Sequence, residues 1–106
     1  MKTAAYYQDK LVFITGGSSG IGRSFALKCA RMGAHVAVAA RRVDALQTTC
    51  AEIESSRLGK HQKVIAVPLD VANADEVQVK LEIFSRDYGT PDIVINSAGI
   101  TMPGHF

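Results

Sequence analysis

The chain of 106 residues has no tryptophan, two cysteines, three prolines and only 7% aromatic residues. Cys29 and Cys50 are too few for a disulfide scaffold. Neither has a second Cys or a His at zinc-ligand spacing, so both read as reduced packing residues and no metal is expected. No window approaches the roughly 18 continuous apolar residues of a membrane span. Met1 to Lys10 has polar residues throughout and no apolar stretch of secretory-leader length, which leads us to expect a cytoplasmic chain. Charge of one sign is also scarce. A formal net charge of +2 is too small to address nucleic acid or a membrane surface. Internal repeats, low-complexity tracts and linkers are absent as well.

What is present is 47% apolar residues, the share of an ordinary folded domain, and the length suits one domain spanning 1–106. The charge is unevenly divided. Residues 1–63 hold ten Lys/Arg against four Asp/Glu, whereas 64–106 hold two against six. Scattered solvated Lys and Arg would explain the basic half, unless a motif there recruits an anionic ligand.

Four apolar runs recur along the chain: Leu11 to Thr15, Val36 to Ala40, Val64 to Pro68 and Ile93 to Asn96. Each is continuous and rich in Val, Ile or Ala, the pattern of strands covered on both faces. Helical periodicity fills the gaps. Ile21, Phe25, Cys29 and Met32 precede Gly33; Leu46, Cys50 and Ile53 precede Gly59. Asn73 and Glu76 have capping-box spacing ahead of Val77, Leu81, Phe84 and Tyr88, and Gly89 then ends that helix. Strands separated by helical crossovers predict an α/β, Rossmann-type open parallel sheet with helices on both faces.

Gly16, Gly17, Gly20 and Gly22 cluster between the first strand and the first helix. A turn at the carboxyl end of a parallel strand, opening a helix, offers free backbone N–H groups and a positive helix end to a pyrophosphate. Glycine there permits positive φ and close approach of phosphate oxygens. The place of the cluster in a strand–helix–strand unit therefore points to a dinucleotide. No Gly-Lys-Ser/Thr follows, which excludes a triphosphatase loop.

The spacing Thr-Gly-x-x-x-Gly-x-Gly from Thr15 to Gly22 resembles that of the short-chain dehydrogenase/reductase family. Asp70-Val71 after the third strand and Asn96-Ser97-Ala98-Gly99 at the end of the fourth fall in the family's order, with Ser97 where the family usually has a second Asn. The resemblance covers residues 9–106 and implies a strand order 3-2-1-4. It would put Gly16, Ser18, Ser19, Gly20, Ile21, Gly22, Asp70, Val71, Asn96, Ala98 and Gly99 on the cofactor. It also implies a small-molecule ketone substrate and a homo-oligomer for the full-length form.

The cofactor follows from charge. An acidic residue at the end of the second strand would bond the adenosine ribose 2′-hydroxyl and select NAD. Here Arg41 and Arg42 follow Ala40, and guanidinium groups can clamp a 2′-phosphate, so NADP(H) is predicted. Arg41, first after the strand, is the expected clamp; Arg42 could instead begin a solvated helix face. Ser18 and Ser19 could add hydroxyl donors.

Hydride transfer to a ketone also needs a proton donor. In the family this is the Tyr of a Tyr-x-x-x-Lys helix with an upstream Ser, all expected beyond Phe106. Tyr6 and Lys10 share the spacing but precede the first strand, so no catalytic residue is assigned. His35, His61 and His105 have no partner at useful spacing and read as surface or packing residues.

Ala-Arg-Arg at 40–42 and the closing Ser-Ala-Gly-Ile-Thr-Met-Pro-Gly-His-Phe look most like the 3-ketodihydrosphingosine reductase branch, in a soluble form, although Ala45 stands where branch members carry Lys. A lipid-like 3-keto substrate follows from that resemblance. A 3-ketoacyl or other short-chain reductase is the alternative within the family, and a dinucleotide-binding module without turnover the alternative outside it. The strand order would leave Ile93 to Asn96 as an exposed edge, so the chain reads as the amino-terminal half of a domain.

Overall fold

The computed structural model describes residues 6–16, 20–70 and 72–96. The elements run β1 (Leu11–Thr15), α1 (Gly20–Arg31), β2 (His35–Ala40), α2 (Val43–Ser55), β3 (Val64–Pro68), α3 (Ala74–Tyr88) and β4 (Ile93–Asn96). The four strands form one parallel sheet in the order β3-β2-β1-β4, as expected.

Side chains alternate across a strand, and the sheet divides its apolar residues accordingly. Val12, Ile14, Val36 and Val38 pack with Ala26, Cys29 and Ala30 of α1 and Leu46 and Ile53 of α2. Leu11, Phe13, Ala37 and Ala39 face the other way, toward Phe84 of α3. The Phe13 and Phe84 rings meet edge to face, 5.0 Å between centroids.

Only the two inner strands are fully covered. Every residue of β1 is buried, whereas β3 is exposed at Ala66 and Pro68, and all four residues of β4 are half-buried. The expectation of cover on both faces thus holds for the runs 11–15 and 36–40 and is corrected for β3 and β4, the outer strands, whose apolar residues stay partly accessible. Ile21, placed on the buried stripe by its spacing, is 84% exposed. Burial along that stripe begins with the half-buried Phe25, while Gly22 is the buried residue of the first turn.

Caps account for most helix ends. The Asn73 side chain accepts the Glu76 N–H at 3.1 Å, but the return arm of the capping box goes elsewhere, since Glu76 Oε2 accepts the Asp70 N–H at 3.3 Å. Gly89, at φ 96°, donates to the Ser85 carbonyl and ends α3. Helix α2 stops at Ser55, before Gly59. There the fully buried Gln62 organises the turn: its amide donates to Ala30 O and Ala34 O, and its Oε1 accepts Leu58 N–H and Gly59 N–H, all at 2.8–2.9 Å. No apolar periodicity announces such a residue. Burial pushes the Cys29 thiol up to about 12, which keeps it protonated and inert.

Candidate functional site

Register brings the carboxyl ends of the strands level. Thr15 lies opposite both Ala39 and Asn96, and Ala40 opposite Pro68. The residues singled out in the sequence follow these ends directly: Gly16 after β1, Arg41 and Arg42 after β2, Asp70 after β3, and Asn96 closing β4. Ser18, Ser19, Val71, Ala98 and Gly99 lie outside the described residues.

The turn after β1 leaves the strand at Gly16, whose φ of 72° suits glycine and whose N–H donates to Ala39 O at 2.8 Å. Gly20, at φ 56°, opens α1, and a methyl group built on it would meet nothing within 4 Å. The described residues thus leave room beside Gly20 at the helix start, the end at which a helix offers N–H groups without intrahelical partners. Gly22 is buried in the helix behind it.

Arg41 is exposed and makes no hydrogen bond or ion pair among the described residues. Arg42 differs: it is the N-cap of α2, and its Nη2 lies 3.3 Å from Asp44 Oδ2. The backbone N–H of Ala45 and the Arg42 guanidinium hold the Asp44 carboxyl below its usual range. Neighbouring arginines of one sequence motif thus stand in different electrostatic states.

Asp70 is half-buried in a turn. Its Oδ1 accepts the Ala72 N–H at 3.0 Å, and its carbonyl accepts the Asn73 N–H. Asn96 is steadied from β1, because the Thr15 hydroxyl donates to Asn96 Oδ1 at 3.1 Å. Thr15 and Glu76 are supporting residues that motif reading passed over; Thr15 is the first letter of the glycine motif, and Glu76 was noted only as a cap.

Behind the helix start, Arg23 binds Glu52 through two bonds of 2.7 and 2.5 Å, tying α1 to α2. This pairing raises the guanidinium pKa and lowers that of the carboxyl.

The opposite end of the sheet holds a separate cleft of about 240 Å³, lined by Asp9, Leu11, His35, Lys63, Tyr88 and Asp92 among others. Two histidines read as partnerless have partners there. His61 Nε2 lies 3.1 Å from Asp9 Oδ1, and His35 Nδ1 accepts the Lys63 N–H at 3.0 Å. Chain folding, not local spacing, brings these groups together. Lys10, above the Tyr6 ring at 5.4 Å, precedes β1 and so lies away from the glycine turn. Among the described residues, no three His, Cys, Asp or Glu are grouped to hold a metal, and no helix is long and apolar enough to cross a membrane.

A parallel 3-2-1-4 sheet with a glycine turn opening the helix after its first strand defines a doubly wound, Rossmann-like protein. Comparison with known proteins is more specific. Residues 10–106 match the short chain dehydrogenase family, and the chain belongs to it. It is 43% identical over 103 residues to the probable oxidoreductase EphD of Mycobacterium tuberculosis, covering 95% of this chain and 16% of that protein. It is 33% identical over 96 residues to the 3-ketodihydrosphingosine reductase of Bos taurus, covering 90% of this chain and 29% of the relative. Among solved structures, the L-sorbose reductase of Gluconobacter frateurii, complexed with NADPH and L-sorbose, superposes with a TM-score of 0.77 at 34% identity, over 90% of this chain and 35% of that one. The chain thus spans about a third or less of the length of these relatives.

Proposed function

We propose that residues 1–106 form the NADP(H)-binding part of a short-chain ketone reductase domain. The observation that carries the cofactor choice is Arg41: an exposed guanidinium, without a partner among the described residues, directly after β2, where an NAD-selecting site would carry a carboxylate. The open helix start at Gly20 fits a pyrophosphate, and Arg41 fits a ribose 2′-phosphate. With Asp70 Oδ1 accepting the Ala72 N–H, Oδ2 has no partner among the described residues and suits the adenine amino group, and Asn96 borders the site from β4. Ser18, Ser19, Ile21, Val71, Ala98 and Gly99 complete the proposed contacts.

The cofactor supplies hydride when bound. The residues here bind and orient it, and none is assigned to proton transfer. A lipid-like 3-keto substrate is supported by the likeness to the Bos taurus 3-ketodihydrosphingosine reductase, and NADPH by the likeness to the sorbose reductase.

Fluorescence titration with NADPH and NADH tests the cofactor reading. The parent chain should prefer NADPH, and Arg41→Ala should weaken NADPH binding by about tenfold or more, the effect of losing a charged hydrogen bond, while sparing NADH. A parent without that preference, or a variant that keeps it, would overturn the assignment.

A further inference from the structure

Asp44 sits in the first turn of α2, two residues beyond Arg42 and three beyond Arg41. Its carboxylate is ionised at neutral pH and already bonded to the Arg42 guanidinium. We propose that Asp44 is a specificity-tuning residue: it occupies Arg42 and so weakens recognition of the ribose 2′-phosphate, leaving Arg41 as the working clamp. This deepens the NADP(H) reading and rests on it.

Three observations carry the proposal. The Arg42–Asp44 contact is 3.3 Å, whereas Arg41 has no partner among the described residues. Both members of the pair are about three-quarters exposed, at 74% and 76%, so the bond is weak enough for a phosphate to compete with it. Asp44 is also the sole acidic residue between Arg41 and Glu52, so nothing else in that stretch offers Arg42 a carboxylate. A 2′-phosphate approaching this corner meets the Arg41 guanidinium, without a partner among the described residues, and an Arg42 guanidinium engaged by Asp44. Arg42 reaches the phosphate only by leaving Asp44. The tuning is lost if Asp44 is made neutral.

The test is a double-mutant cycle on the full chain, with NADPH and NADH affinities measured by titration and folding checked by thermal unfolding. Asp44→Asn should tighten NADPH binding by about threefold, the scale of an exposed ion pair, without changing NADH binding. Arg42→Ala alone should matter little, and in the Asp44→Asn background it should abolish the gain. High salt should shrink the gain, because both charges are screened. An Asp44→Asn variant that binds NADPH no better overturns the proposal. So does a gain that survives Arg42→Ala, which would mean that Asp44 acts only as a repelling charge. Failure of the underlying reading shows separately, in the parent chain, as the absence of any preference for NADPH.

Discussion

Gln62 shows how much one polar residue can hold. It satisfies the carbonyl of Ala30 in α1, the carbonyl of Ala34 just before β2 and two N–H groups of the turn before β3 while excluded from solvent. Replacing it with leucine keeps the volume and strands those groups, so Gln62→Leu should lower the unfolding free energy by about 2–4 kcal/mol, read from urea denaturation. A loss under about 0.5 kcal/mol, the range of surface changes, would contradict this role. Nothing in the primary structure marks Gln62, since its four partners come from three separate segments. Arg41 is the reverse case. Its place after an apolar run was legible, and folding only added that Arg42 is paired with Asp44 whereas Arg41 has no partner among the described residues.

Helices α1 and α2 lie side by side on one face of the sheet, and the Arg23–Glu52 pair joins them. Hydrogen bonding from Arg23 holds the Glu52 carboxyl below its ordinary value of 4.5. A carboxylate with a depressed folded-state pKa stabilises the protein above its unfolded value, and the contribution is lost as pH falls through the folded one. Stability should therefore drop below about pH 4.5, and Glu52→Gln should flatten that acid limb while lowering stability at neutral pH. Chemical denaturation across pH 3 to 7 checks it; an unchanged limb would remove Glu52 as its source. Existence and type of all three helices were readable from spacing, because buried faces impose it. The end of α2 was not, since Gly59 serves the Gln62 turn and not a helix cap.

The molecule is asymmetric about its sheet. Among the described residues two helices cover one face and α3 alone covers the other, with Phe84 the only residue of α3 that is buried. Among the described residues β4 pairs with β1 alone, and each of its side chains is half-buried. Local opening follows buried contact, so amide exchange should be slowest in β1 and β2 and clearly faster in α3 and β4. Exchange mass spectrometry resolves these segments. Equal protection throughout would mean that the sheet opens as a single unit.

The sequence by itself determined the element order, a parallel sheet and the position of a glycine turn at its carboxyl edge, because strand burial, helix period and glycine placement are all local patterns; the strand order 3-2-1-4 was implied by the family resemblance, and the fold has it. Tertiary structure alone decided how far the outer strands are covered, that Ile21 is exposed, which carboxylate holds which arginine, and that Thr15 and Glu76 steady the residues beside the site. Those depend on distances between segments far apart in the chain, and only the folded backbone sets them.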